Sequence, residues 1–96
     1  MAAQMESEHI SISFDKVERI KRELRTLLPD VKSSHRAEGM ARGLGFNTNA
    51  ALRAELGKGL THCSVHPARF SDYLSQHGFE AAPLKLITAI IAASEA

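Results

Sequence analysis

The 96-residue sequence contains no tryptophan, and aromatic residues make up only 5% of it. A buried core must therefore be built mainly from aliphatic side chains. Cys63 is the only cysteine, which excludes an intrachain disulfide and fits a reducing compartment. A chain of this length predicts one domain, and small domains gain stability by pairing, so we also predict a homodimer.

A strong excess of charge of one sign is also missing, because the net charge is only +1. This excludes a strongly acidic DNA mimic and a strongly basic, sequence-blind nucleic-acid coat. The longest strongly apolar stretch, residues 84–93, is too short to cross a bilayer and contains Lys85. The first nine residues lack the basic and apolar regions of a signal peptide. We therefore predict a cytoplasmic protein without a membrane partner.

The hydrophobic patterns predict a mainly α fold with about five short helices and a short two-stranded β ribbon. Residues 1–8 are predicted to be disordered, and residues 9–96 to form a single compact helical domain. Ile10, Ile12 and Phe14 alternate with serines, which predicts a strand with one buried face. Its predicted partner is the alternating segment 60–65, within the chain or across a dimer.

Capping and breaking residues predict where the helices begin and end. Helix one is predicted to run from Asp15, as the N-cap, to Leu28, and helix two from Ser34, as the N-cap, to Leu44. The third helix is capped by Asn47 or Thr48, the fourth runs from Pro67 to Gly78, and the fifth starts near Pro83. The fifth is apolar almost all round, which is typical of a central helix or a subunit interface.

Residues 33–52, SSHRAEGMARGLGFNTNAAL, have the pattern of a helix-turn-helix. Ala41 is small enough for a second helix to cross at its position, and Gly45 fits the left-handed turn four residues later. Met40, Leu44 and Phe46 supply the apolar flank. Helix three is then the predicted recognition helix.

The charge of this region favours a DNA contact. From Lys16 to Arg42 there are eight Lys/Arg and four Asp/Glu, an excess of four positive charges (8 − 4). Asparagine pairs with adenine and arginine with guanine in the major groove, while basic and hydroxyl groups hold phosphates. The predicted DNA-binding residues are Lys32, Ser33, His35, Arg36, Arg42, Asn47, Thr48, Asn49 and Arg53.

Two other interpretations of the same features remain open. Two helices joined at a glycine are common in small helical domains and need no DNA. The near-neutral charge, the apolar fifth helix, and a smooth groove at Gly39 and Gly43 also fit a protein-interaction module, an adaptor or inhibitor of a larger bacterial complex.

A metal or catalytic site is a further alternative. His62, Cys63 and His66 lie close together and, with His35 or His77, have the side chains of a zinc site. The usual paired spacing of two cysteines and two histidines is absent. Cys63 beside a histidine lacks a visible orienting group, so we predict no enzyme activity, no metal and no cofactor.

The 33–52 segment resembles a pattern in small bacterial proteins, some of them associated with plasmids or phages. The pattern runs through Ser34, His35, Glu38, Ala41, Arg42, Gly45, Phe46, Ala51 and Leu52. Residues 68–80, ARFSDYLSQHGFE, resemble a segment of the same group. More loosely, the pattern is similar to the glyoxalase-related accessory domain, which shares Ser-His and Ala-Arg-x-x-Gly-Phe. The resemblance implies a helical fold and brings no catalytic or metal-binding residue to this chain.

Overall fold

The computed structural model describes residues 9–94, and the predicted disorder of residues 1–8 lies outside them. The elements follow in the order β1 (His9–Ile12), α1 (Phe14–Leu27), α2 (Ser33–Gly43), α3 (Asn49–Leu56), β2 (Thr61–Ser64), α4 (Pro67–Gln76) and α5 (Leu84–Ser94). The prediction of a mainly α fold with five helices and a short ribbon is confirmed.

Two of the predicted helix caps are wrong. Ser13, not Asp15, caps α1, and its hydroxyl accepts a 3.2 Å hydrogen bond from the Lys16 N–H. Asp15 lies instead in the first turn, where its negative charge interacts favourably with the helix dipole. Helix α2 begins one residue before Ser34, so its cap position falls on Lys32, which makes no side-chain capping bond.

The two strands form an antiparallel ribbon within the chain, with Ile10 opposite Cys63 and Ser11 opposite His62. On its exposed side, the Ser11 hydroxyl and His62 Nδ1 are joined by a 3.0 Å hydrogen bond. Ile12 is fully buried, as the alternation predicts. Phe14 departs from that alternation: it begins α1 and is 47% exposed, because the Ser13 cap turns the chain from strand to helix.

The core lies where α1 packs against α5 and α2 packs against α4. Apart from Phe70, the largest fully buried side chains are aliphatic, as the shortage of aromatics predicts. They are Ile12, Ile20, Leu24, Met40, Leu44, Leu52, Leu74 and Leu86.

The groove predicted at Gly39 and Gly43 is filled by the chain itself. A methyl group on Gly39 would lie 3.3 Å from Leu74 Cγ. One on Gly43 would overlap Leu86 Cδ2 and lie 3.0 Å from Phe70 Cβ. The missing side chains therefore allow α4 and α5 to approach α2, and no partner protein is needed to explain these glycines.

We predict that Gly43→Ala destabilises the fold by about 1–3 kcal/mol, because the added methyl overpacks the contact with Leu86 and Phe70. Urea unfolding followed by circular dichroism measures this cost. Gly57→Ala is the matched control: Gly57 lies at the exposed end of α3 with φ −64°, which alanine adopts freely. It should leave stability unchanged or raise it by up to about 1 kcal/mol. Equal effects of both substitutions would contradict the packing argument.

Candidate nucleic-acid interface

The turn between α2 and α3 has the geometry that the sequence predicts. Gly45 adopts φ +95°, and its N–H donates to the Arg42 carbonyl. The Phe46 N–H reaches back 2.9 Å to the Ala41 carbonyl, which completes a Schellman C-cap. Thr48 then caps α3, accepting a 3.0 Å bond from the Ala51 N–H. The two helices thus form a defined corner.

Two arginines converge on the segment just before α3. Arg42 Nε donates to the Asn47 carbonyl at 2.9 Å. Arg69 reaches from α4, and its Nη2 lies 3.3 Å from Asn47 Oδ1 and 3.4 Å from the Phe46 carbonyl. Asn47 is exposed while both arginines are partly buried. The segment that precedes the predicted recognition helix therefore carries two positive charges.

Glu38 brings a negative charge to the same corner. Its Oε1 accepts a 3.0 Å hydrogen bond from the backbone N–H of Asn49, the first residue of α3. A carboxylate at a helix N-terminus is stabilised by the helix dipole and occupies an N–H that would otherwise be free. Glu38 and Thr48 therefore occupy the backbone N–H groups of Asn49 and Ala51 at this end of α3.

The outer face of α3 is open and nearly free of large side chains. Ala50, Ala51, Arg53 and Ala54 are all exposed. The Arg53 guanidinium carbon lies 5.2 Å from the centre of the Phe14 ring, a cation–π distance. Because the alanines are short, another molecule can approach the α3 backbone closely on this side.

His35 faces α4 rather than α3. Its Nδ1 shares a 3.1 Å hydrogen bond with the Tyr73 hydroxyl, and its ring centre lies 4.6 Å from that of His77 and 5.4 Å from that of Phe79. His77 Nδ1 donates to the Tyr73 carbonyl at 2.9 Å. On the other side, the Arg42 guanidinium lies 5.2 Å from the centre of the Tyr73 ring. His35 is thus part of an aromatic cluster that joins α2 to α4.

The remaining predicted contacts lie at the beginning of α2. Lys32 and Ser33 are exposed there. Arg36 Nη1 donates to the Leu28 carbonyl at 3.1 Å and also to the Val31 carbonyl, so it holds the loop between α1 and α2. At 100° per residue, Arg36 and Arg42 lie about 120° apart around the helix. The predicted DNA-binding residues therefore divide into two groups, one at each end of α2.

Arg69, Glu38 and Tyr73 complete the corner, and none was among the predicted site residues. Local sequence offers little sign of Arg69, because its partners Phe46 and Asn47 precede it by more than twenty residues. Glu38 offers one signal: it belongs to the 33–52 pattern together with His35 and Arg42. Residues 68–80 supply both Arg69 and Tyr73.

The sulfur and imidazole groups do not form a common site. Alternation along β2 buries Cys63 and exposes His62, so the two side chains point to opposite faces. Burial raises the pKa of the Cys63 thiol to about 11, which the nearby Lys16 charge only partly offsets. A thiol in this state is a poor nucleophile at neutral pH. Within residues 9–94, no three side chains of the His, Cys, Asp and Glu types group closely enough to hold a metal ion.

No family model, curated protein or solved structure matches the chain. None of the helices between residues 9 and 94 has both the length and the apolar composition needed to cross a membrane.

The charges at the corner make Tyr73 a measurable reporter. Burial raises the pKa of Tyr73, the nearby Glu38 carboxylate raises it further, and Arg42 lowers it. Because the sequence has one tyrosine and no tryptophan, tyrosinate absorbance titrates this residue alone. We predict a pKa above the usual value of about 10 in the folded protein. The contribution of Tyr73 to the free energy of unfolding should be fully present below about pH 10 and should be lost as the pH rises through the folded pKa. The reason is that the tyrosine of the unfolded chain ionises at a lower pH.

The variant Glu38→Gln should lower the Tyr73 pKa by removing the neighbouring negative charge. Glu80→Gln is the control, since Glu80 is exposed in the loop before α5. An unchanged pKa in Glu38→Gln would show that the two groups are not coupled through charge.

Proposed function

We propose that this protein binds duplex DNA through the corner formed by α2 and α3. The observation that carries the proposal is the convergence of Arg42 and Arg69 on Asn47, directly before the exposed face of α3. A recognition helix must approach the major groove closely and must carry polar and cationic groups that reach base edges and phosphates. The three exposed alanines, Asn47 with Thr48, and the two arginines meet these needs.

The charge balance favours specific over non-specific binding. With a net charge of +1, the whole chain offers little general attraction for DNA. Glu38 at the α3 N-terminus also makes that helix end unfavourable for a phosphate. Base-edge contacts from Arg53 and Asn47 are then the source of affinity at α3. We propose the cytoplasm as its compartment, where the free thiol of Cys63 stays reduced.

Fluorescence anisotropy with duplexes selected from a randomised pool tests this proposal. On a selected duplex, Arg53→Ala should cost about 1–3 kcal/mol and relax the sequence preference, because a bidentate base contact is lost. Arg19→Ala is the matched control, because Arg19 is an exposed arginine that lies on α1 rather than on α3. If no duplex binds even at about 50 mM salt, the proposal is wrong.

A second candidate function is a protein-interaction module, and α5 favours it. Leu86 and Ile90 of α5 are buried in the core, so they are not a docking face. Leu84 is 70% exposed and Ile91 is 53% exposed, and Ile87 lies between them at helical spacing. We call these three residues the α5 stripe. The stripe carries no charge, so a second copy of the same stripe would cover it without burying an ion.

This candidate predicts self-association that depends on the α5 stripe. The double variant Leu84→Glu with Ile91→Glu should be monomeric at concentrations where the unaltered protein sediments as a dimer, because pairing would bury four carboxylates. Ala54→Glu, which adds a charge on exposed α3, should leave the dimer intact. Sedimentation velocity across a wide range of concentrations measures both. A protein that stays monomeric throughout would rule out the stripe as a dimer interface.

A further inference from the structure

A second cationic feature lies away from the α2–α3 corner, between α1 and the beginning of α2. A cavity of about 230 Å³ opens there, and we call it the α1–α2 groove. Its charged and polar lining consists of Glu18, Lys21, Arg22, Arg25, Ser33 and Arg36. Four cations and one carboxylate give the groove a net charge of +3 (4 − 1), more than that of the entire chain.

The helical spacing of α1 produces this concentration of charge. Lys21 and Arg22 lie four and three residues before Arg25, and all three line the side of α1 that turns toward α2. Lys21 pairs with Glu18 at 3.5 Å. Within residues 9–94, the guanidinium groups of Arg22 and Arg25 make neither an ion pair nor a hydrogen bond. Their charge is therefore available to a ligand.

The opposite wall of the groove holds a fixed guanidinium and a polar helix end. Arg36 is fixed by its bonds to the Leu28 and Val31 carbonyls. Fixing the group in advance lowers the entropy cost of using its other N–H groups for a ligand. Ser33, at the same wall, is the first residue of α2, whose first turn has no acidic residue and no side-chain cap. The helix dipole adds positive potential at this point.

We propose that the α1–α2 groove is a phosphate-binding site and that its ligand is a backbone phosphate of duplex DNA. Three arginines and one lysine around a single cavity favour a phosphate as the ligand, because their N–H groups donate charge-assisted hydrogen bonds to phosphate oxygens. The cavity is smaller than the roughly 300–1,000 Å³ typical of small-molecule sites, and five of its seven lining residues are charged. It therefore suits an anionic group presented from outside rather than an enclosed nucleotide.

The claim that the phosphate belongs to DNA rests on the proposed DNA-binding function. The claim that the groove binds a phosphate does not. In a helix-turn-helix complex the helix before the recognition helix crosses the DNA backbone. Helix α2 has that place here, and the groove lies at its beginning, about 15 Å along the axis from the α3 corner. The groove would thus hold the DNA strand beside the bases that α3 contacts. This role would explain the cluster of Lys21, Arg22 and Arg25 on α1.

The test compares arginines on the same helix. Arg22→Ala with Arg25→Ala should weaken duplex binding at least tenfold, equally for all sequences. It should also reduce the slope of log affinity against log salt by about two, because two phosphate contacts are lost. Arg19→Ala, which removes a similar exposed charge outside the groove, should change affinity less than twofold. An equal effect of Arg19→Ala would mean diffuse attraction and would overturn the site.

Removing the carboxylate of the groove tests the site in the opposite direction, because duplex binding should become tighter. Glu18→Gln removes the one carboxylate of the groove and should tighten duplex binding roughly two- to fivefold. Glu23→Gln, a carboxylate of α1 outside the groove, should have little effect. If both variants tighten binding equally, the groove is not the site.

A titration with inorganic phosphate or pyrophosphate, monitored by amide chemical shifts, distinguishes a free phosphate from a DNA phosphate as the ligand. If they shift the Ser33–Arg36 amides while no duplex binds, the groove is a phosphate site but DNA is not its ligand. If neither phosphate nor duplex perturbs these amides, the proposal fails. Duplex binding that survives loss of Arg22 and Arg25 but not of Arg53 supports the α3 interface alone and overturns the groove.

Discussion

The close approach of α2 to α4 is the constraint on which the rest of the structure depends. It is possible because Gly39 and Gly43 present no side chains where Leu74 and Phe70 pack. The same approach lets the Gly43 carbonyl accept the His66 N–H, at the residue before α4. A bulkier residue at either glycine would separate the two helices and with them everything that spans the contact.

What spans the contact is the polar framework of the site. His35 and Arg42 of α2 contact Tyr73 of α4, and Arg69 of α4 reaches Asn47 in the turn that follows α2. Residues 33–52 and residues 68–80 therefore form one structural unit in the folded protein. Hydrogen bonds within the chain fix many of its polar residues and with them the geometry of the corner.

The sequence predicts best those features that depend on neighbouring residues. Gly45 ends α2 and Pro67 begins α4 because each acts through its own backbone geometry. Where two residues can serve equally, as Ser13 and Asp15 can, propensity does not choose between them. Contacts between distant segments follow from packing alone, so neither the place of Arg69 nor the filling of the glycine groove is visible in the sequence.

The short ribbon has a consequence for how the chain folds. Its hydrogen bonds join β1 to β2, and Ser11 and His62 are 51 residues apart. All of α1, α2 and α3 lie inside the loop that it closes. Closing a loop of that length has an entropic cost that the local α2–α3 turn avoids, so we expect the ribbon to form after that turn. The pairing of its four-residue strands connects the beginning of the domain to its middle, and we expect it to form once the helices have packed.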